Sequence, residues 1–120
     1  MIVAVSAGGP ELSSAVDSRF GRAAWFVFVD LDTDAVRAVK NEQNLTAVQG
    51  AGIQSAQRVV EQGAGAVITG HCGPKAFRVL SAAGAAIYLG AKGSVADAVS
   101  QFRKRELTKA DAADVEGHWA

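Results

Sequence analysis

The sequence predicts an α/β domain with three layers, α/β/α, built around a five-stranded mixed sheet. Short, uninterrupted apolar runs such as IVAV at residues 2–5 are typical of strands that are buried on both faces. In the second half of the chain these runs alternate with segments of helical periodicity, which favours parallel strands joined by right-handed crossovers. Near the start, two β-rich runs flank the turn-forming sequence Leu31-Asp32-Thr33-Asp34, which predicts an antiparallel hairpin.

The predicted order of elements is β-β-β-α-β-α-β-α. Each predicted strand is a short apolar or β-branched run that is followed by a turn-forming or polar sequence. The strands are predicted at residues 2–5, 24–30, 35–40, 66–69 and 86–89.

Each of the three predicted helices has an end signal. The first helix occupies about residues 51–62, because apolar residues recur there at helical spacing and a glycine follows them. Pro74 is a favoured first residue for the second helix, and Gly84 ends that helix. Ser94 with Asp97 three residues later resembles a capping box, so the third helix is predicted to begin there.

The composition indicates one domain without a strong overall electric field. The chain has 120 residues, 12 Lys and Arg against 12 Asp and Glu, and one cysteine. One cysteine makes no internal disulfide, and the first residues lack the features of a signal peptide, so a cytoplasmic protein is expected. The balanced charge argues against nucleic acid and anionic membranes as partners, and the apolar runs are too short to span a bilayer. We expect one soluble domain at residues 1–107 and a tail at residues 108–120. The sequence leaves open whether Trp119, in this tail, docks onto the domain.

Three glycine-rich loops follow predicted parallel strands, at residues 6–10, 70–73 and 90–93. Open α/β sheets bind ligands beyond the carboxyl ends of their strands, so the loops are predicted to form one mouth. Glycine lets backbone amides approach a ligand, and the helix starts at Pro74 and Ser94 add partial positive charge, so a compact anion fits. The alternative is that the glycines only permit tight turns. Neither GxxxxGK[ST] nor GxGxxG follows the first strand, which disfavours a nucleotide.

The stretch TGHCGP, residues 69–74, holds the only cysteine of the chain directly after a histidine. A thiolate prefers soft metals such as copper(I), zinc or iron–sulfur species, so Cys72 is a candidate metal ligand and His71 a second one. Two ligands are too few for a closed zinc site. One alternative is a buried cysteine beside a solvent-facing histidine. Another is a thiol enzyme, which is disfavoured because His71 is too close in sequence to act as its base and His118 lies in the tail.

The stretch DSRFGR, residues 17–22, carries two arginines around an aromatic residue and a glycine. Arg19 and Arg22 are candidates to clamp an anion, and Phe20 is a candidate apolar wall. The alternative is that Asp17 pairs with an arginine and Phe20 belongs to the core. Two lysines beside the glycine loops are candidates to add charge to the same mouth, although exposed lysines usually serve only solvation: Lys75 and Lys92.

Several stretches together resemble the dinitrogenase iron-molybdenum cofactor biosynthesis family, which includes NifX-like proteins and the C-terminal part of NifB. The resemblance covers about residues 1–107, and its DSRFGRA and GxCGPKA motifs are specific in combination. The matching residues are Asp17 to Ala23, Asn41, Asn44, Gly50 to Gly52, Thr69 to Ala76, Gly93 to Val95 and the helix that contains Phe102.

This resemblance implies a five-stranded ribonuclease H-like fold and a role as a carrier of metal–sulfur clusters rather than a catalyst. The length and the end of the chain are most similar to the orange protein branch, whose cluster contains molybdenum, copper and sulfide. The cluster is then a polyanion whose sulfides already coordinate its metals, so few protein ligands are needed. An iron–molybdenum cofactor precursor is the alternative cargo. The fold name implies no nuclease activity, because the acidic residues show no metal-binding constellation.

In this interpretation His71 and Cys72 lie at the mouth of a cluster pocket, with Cys72 as an optional anchor. The resemblance also implies a chromosome-partitioning-type ATPase as a partner. A regulatory domain that binds a partner protein or an anionic metabolite through the same mouth is the alternative function. The residues expected to bind the cluster are Arg19, Phe20, Arg22, Gly70, His71, Cys72, Gly73, Lys75 and Lys92.

Overall fold

The structure, a computed structural model, describes residues 1–42 and 50–113. Asn44, His118 and Trp119, and with them predictions about the end of the tail, lie outside the described residues. The strands are β1 (Ile2–Ala7), β2 (Trp25–Asp30), β3 (Val36–Lys40), β4 (Ala66–Ile68), β5 (Ala86–Leu89) and β6 (Thr108–Lys109). The helices are α1 (Ala51–Glu61), α2 (Pro74–Ala82), α3 (Val95–Arg103) and a short 3-10 helix (Phe20–Arg22). Within the described ranges, no helix is long and apolar enough to cross a membrane.

The sheet has six strands in the order β3-β2-β1-β4-β5-β6, so the prediction of five strands is wrong by one. β4 is parallel to both β1 and β5, whereas β2 is antiparallel to both β1 and β3. The additional strand, β6, pairs antiparallel with β5 through Thr108 and Lys109. Both residues are exposed, so β6 carries no apolar alternation from which the sequence predicts a strand.

Two apolar cores lie on opposite faces of this mixed sheet. Because successive strand residues point to opposite faces, Val3 and Val5 of β1 belong to one core and Ala4 belongs to the other. The core around Ala4 is completed by α1 and α2, and the core around Val3 is completed by α3. The helical residues in these cores are Ala56, Val59, Ala76 and Leu80 on the first face, and Val95, Ala98 and Val99 on the second.

Four strands, β1, β3, β4 and β5, end at the same edge of the sheet, which we call the carboxyl edge. Their common direction follows from the parallel pairing of β1, β4 and β5 and from the two antiparallel pairings of β2. All three α-helices begin at the carboxyl edge, because each follows one of these strands. β2 ends at the opposite edge, beside the chain start, where the Met1 ammonium lies 2.6 Å from Asp32 Oδ2.

The third helix begins with the predicted capping box. Ser94 Oγ accepts a hydrogen bond from the Asp97 N–H at 3.1 Å, and Asp97 Oδ2 accepts one from the Ser94 N–H at 3.0 Å. The bond from the Ser94 N–H is the main cause that holds the pKa of Asp97 below its ordinary value, and the Ser94 side chain contributes less. The box therefore fixes both the start of α3 and the charge state of its first turn.

Replacing the capping hydroxyl in Ser94→Ala is expected to lower the free energy of unfolding by about 1 kcal/mol, because the Asp97 N–H loses its acceptor. Ser100→Ala makes the same substitution inside α3 and is expected to be nearly neutral, since alanine suits a helix interior. Urea unfolding of both variants at neutral pH measures the difference. Equal losses in the two variants would show that the capping bond contributes nothing.

Asp97 also predicts a pH dependence of stability. A carboxyl whose pKa is lowered by folding stabilises the protein above its unfolded pKa, and this contribution is lost as the pH falls through the folded pKa. Asp97→Asn is therefore expected to reduce the loss of stability below about pH 4. Unfolding curves across the acid range test this, with the exposed Glu61→Gln as the control. Parallel curves for wild type and Asp97→Asn would contradict it.

Candidate functional site

The segment at residues 17–22, which we call the crossing segment, lies directly against the loop after β4. The His71 N–H donates to the Ser18 carbonyl at 2.7 Å, and the Phe20 N–H donates to the His71 carbonyl at 3.2 Å. These two bonds place Arg19 and His71 side by side as an isolated parallel bridge. The two stretches that the sequence singled out are therefore joined by backbone hydrogen bonds at the carboxyl edge.

Gly70 permits this close approach because it has no side chain. A Cβ atom at Gly70 would lie 2.7 Å from the Ser18 carbonyl oxygen and 2.8 Å from Ser18 Cα, both backbone atoms. These separations are shorter than real Cβ atoms show, so any other residue forces the two backbones apart. The glycine thus serves chain packing at this position, which is the alternative that the sequence left open for its loops.

Two buried hydroxyls fasten the crossing segment to the sheet below. Ser6, in β1, and Thr69, directly after β4, are fully buried, and their side-chain oxygens lie 2.7 Å apart. Ser6 Oγ also lies 2.7 Å from the Asp17 carbonyl, to which it donates, and the Asp17 N–H donates to the Ser6 carbonyl at 2.9 Å. This pair was not predicted from the sequence, although both hydroxyls interrupt apolar runs at the ends of buried strands, which is a usable signal.

The crossing segment separates the candidate residues into an outer and an inner set. Arg19 and His71 are exposed, whereas Phe20 and Cys72 are 0% exposed and belong to the core shared with α1 and α2. The Phe20 ring packs against Phe26 with the ring centroids 5.1 Å apart. In this conformation neither the Phe20 ring nor the Cys72 thiol reaches the surface. This arrangement matches the alternative of a buried cysteine beside a solvent-facing histidine.

The described residues contain no cluster of three or more His, Cys, Asp or Glu side chains that could hold a metal ion. Cys72 Sγ is buried and lies 3.6 Å from the Gly73 carbonyl, whereas His71 is exposed to solvent. His71 and Cys72 therefore do not present their side chains to one common point. A bare metal ion is a poor match to the donor set of this edge.

The arginines of the crossing segment keep their charge available at the surface. Asp17 Oδ1 accepts a hydrogen bond from the Arg19 backbone N–H at 3.0 Å, not from an arginine side chain. Within the part of the chain that the structure describes, neither the Arg19 nor the Arg22 guanidinium forms an ion pair or a hydrogen bond. Lys75 is exposed in the first turn of α2. Cationic groups thus remain on the α1/α2 side of the carboxyl edge.

The start of α3 is closed to a ligand, contrary to the expectation for the glycine loop before Ser94. Besides the two bonds of the capping box, the Val95 N–H donates to the Ser14 carbonyl and the Ala96 N–H to the Leu12 carbonyl, each at 2.9 Å. All four amides at this helix start are therefore satisfied within the protein. Lys92 is exposed before this start, and its carbonyl accepts from Gln101 Nε2 of α3 at 3.0 Å. The loop that carries Lys92 nevertheless contacts the loop before α2, because the Gly90 N–H donates to the Gly70 carbonyl at 3.3 Å.

The starts of α1 and α2 differ from that of α3 because both are capped by glycine. Gly50 and Gly73 occupy the capping positions and have no side chain that accepts a bond from the first-turn amides. Pro74 removes one of these donors from α2. The two helices lie on the same face, so their positive ends and the crossing segment share one side of the carboxyl edge.

Asn41 is a structural residue of this edge whose role the sequence analysis missed. It is 7% exposed, and its Nδ2 donates to the Ala23 carbonyl at 2.8 Å. Its Oδ1 accepts from Ser55 Oγ at 3.1 Å and from Arg58 Nη1 at 2.7 Å. Asn41 therefore ties the chain after the 3-10 helix to α1. Nothing in a single sequence distinguishes such an asparagine from one in a surface turn.

Comparison with known proteins identifies the family. Residues 1–105 match the family model described as dinitrogenase iron-molybdenum cofactor. The chain belongs to this family. Its membership supports a role in metal-cluster binding related to that cofactor. No curated protein matches the chain.

Several solved structures share this fold over almost their whole length. The apo orange protein from Desulfovibrio gigas is 42% identical with a TM-score of 0.89, over 95% of this chain and 96% of that one. A putative NifB protein from Thermotoga is 31% identical with a TM-score of 0.81, over 97% and 98% of the two chains. A putative dinitrogenase from Methanocaldococcus jannaschii is 18% identical with a TM-score of 0.72, over 93% and 96%, and shows the fold alone.

Gly70→Ala is expected to lower the free energy of unfolding by about 1–3 kcal/mol, because the new Cβ overlaps the Ser18 backbone. Gly8→Ala is the matched control, since a Cβ there meets only the Ala15 carbonyl at an ordinary 3.8 Å. Denaturant unfolding of both variants measures the cost. An unchanged stability of Gly70→Ala would mean that this close contact is not required in solution.

Proposed function

We propose that this family member binds and carries, without catalysis, an anionic molybdenum-containing sulfide cluster, and that the cluster is of the molybdenum–copper–sulfide type. The observation that supports it most is the bridge between Arg19 and His71, which joins both family motifs at the carboxyl edge. The cluster is cargo, either loaded by another protein or assembled in place. Family membership and the 42% identical orange protein support this choice over an unrelated ligand.

The donor chemistry of the edge suits a preassembled cluster better than a bare ion. The described residues hold no cluster of ligating side chains, but they offer exposed cations and two glycine-capped helix starts on one face. A cluster whose sulfides already coordinate its metals needs only outer contacts to its negative surface. Backbone amides at helix starts and guanidinium groups are suited to that task.

The proposed roles follow from which residues are exposed. Arg19, Arg22 and Lys75 supply positive charge, and His71 borders the cluster beside Arg19. Gly70 and Gly73 supply the shape of the loop. Two residues act from beneath: Phe20 supports the crossing segment, and Cys72 becomes an anchor only if that segment moves aside. Lys92 is exposed in the loop after β5 and adds positive charge from the α3 side of the edge.

The test is to incubate the protein with tetrathiomolybdate and a copper salt, remove unbound reagent, and record metal content and the visible spectrum. We expect molybdenum and copper to be retained at a fixed ratio, with an absorption band that is absent from the reagents and from an inert control protein. A colourless, metal-free product would overturn the molybdenum–copper–sulfide cargo. Iron–molybdenum precursors, and then the alternative of a partner-binding regulatory domain, would be tested next.

Variants test the site separately from the cargo. Arg19→Gln is expected to weaken cluster retention about tenfold, because a charge-assisted contact to the polyanion is lost. Lys104→Gln removes the same charge after the far end of α3 and is expected to retain the cluster like wild type. Cys72→Ala is expected to alter the cluster without unfolding the domain, and an unchanged stoichiometry and spectrum would exclude the thiolate as an anchor. Wild-type retention by Arg19→Gln would place the cluster elsewhere.

A further inference from the structure

A cavity lies on the α3 face of the sheet, the face opposite to α1 and α2. Its volume is about 620 Å³, within the range of small-molecule pockets. It lies between the end of α3, β5, the chain after β2 and the start of β6, so the sheet itself separates it from the core beneath the crossing segment. It is lined by Leu31, Tyr88, Phe102, Arg103, Arg105 and Leu107.

The floor of this cavity is apolar and fixed by the core. Tyr88 of β5 and Phe102 of α3 pack edge to face, with their ring centroids 4.8 Å apart. Both rings are half-buried, and with Leu31 and Leu107 they pack against the core under α3. The floor therefore offers an aromatic surface that needs little rearrangement to receive an apolar group.

The two arginines that line the cavity, Arg103 and Arg105, differ in whether their charge is paired. Arg103 Nη2 donates to Asp34 Oδ1 at 3.1 Å and to the Leu31 carbonyl at 3.2 Å, so its charge is paired. In the described portion of the chain, the Arg105 guanidinium forms no ion pair and no hydrogen bond. An apolar floor thus borders a cation whose charge remains available to a ligand.

Arg105 also occupies a backbone position that favours glycine. Its φ is +61°, directly after the capping residue of α3. At the equivalent positions after α1 and α2 stand Gly63 and Gly84, with φ of +86° and +82°. An arginine is strained in this backbone conformation, which glycine adopts without strain. A strained residue at the rim of a cavity points to a role for its side chain.

We propose that this cavity binds a small organic anion with an aromatic or branched apolar body. The apolar body lies on the rings of Tyr88 and Phe102, and the carboxylate or sulfonate of the ligand pairs with Arg105. This proposal is independent of the cluster function, because it uses other residues on the other face of the sheet.

The probe is phenylbutyrate, compared with the uncharged phenylbutanol of similar shape, each titrated into the full chain at low salt and followed by amide NMR. We expect saturable shifts at Phe102, Arg105 and Leu107 with phenylbutyrate, and binding of phenylbutanol about tenfold weaker. Equal affinity for both probes, or no saturable shift with phenylbutyrate, would overturn the proposal.

Substitutions at Arg105 distinguish a ligand role from a structural one. Arg105→Gly is expected to weaken phenylbutyrate binding about tenfold while its melting temperature stays equal or rises, because the strain is relieved. Arg105→Lys keeps the charge and is expected to retain most of the affinity, and Lys104→Gln, next to the cavity but outside its lining, is expected to bind like wild type. A lower melting temperature in Arg105→Gly, or unchanged binding by it, would show that the side chain has another role.

Discussion

The carboxyl edge depends on one backbone contact, the approach of Ser18 to Gly70. Because Gly70 has no Cβ, the Ser18 carbonyl reaches the His71 N–H at 2.7 Å, and the chain continues into the bond between Phe20 and His71. This contact turns the Arg19 side chain outward and places Phe20 and Cys72 beneath it. The exposed charge and the buried thiol are therefore two results of the same packing constraint.

The long loop between β1 and the 3-10 helix also satisfies the start of one helix, α3. Its first part supplies the Leu12 and Ser14 carbonyls that satisfy the amides of α3, and its last part crosses to the other face and binds His71. Among the described residues, this loop bonds to the first amides of α3 and to none at the glycine-capped starts of α1 and α2. One irregular segment thus gives the two faces of the sheet different chemistry.

Local signals predicted most of the fold, while long-range contacts decided the details of the site. The capping box at Ser94 and the glycine ends of α1 and α2 are encoded within a few residues, and the structure confirms them. The meeting of the loops at one edge follows from strand direction. Burial of Cys72 and closure of the α3 start depend on contacts from residues 12–20. These residues show no helical or strand periodicity, so the sequence does not predict where they lie. The strand β6 was not predicted because both of its residues are exposed and show no apolar alternation.

A chain with balanced charge attracts anions only where its own carboxylates are otherwise engaged. At the carboxyl edge Asp17 accepts from a backbone N–H, which leaves the Arg19 guanidinium unpaired among the described residues. On the α3 face Asp34 pairs with Arg103, and the Arg105 guanidinium remains unpaired among the described residues. Because the overall field is weak, recognition at either proposed site would act over a few ångströms. Selectivity between the two proposed sites then rests on their surroundings. Glycine-capped helix starts favour a compact polyanion, and an aromatic floor favours an anion with an apolar body.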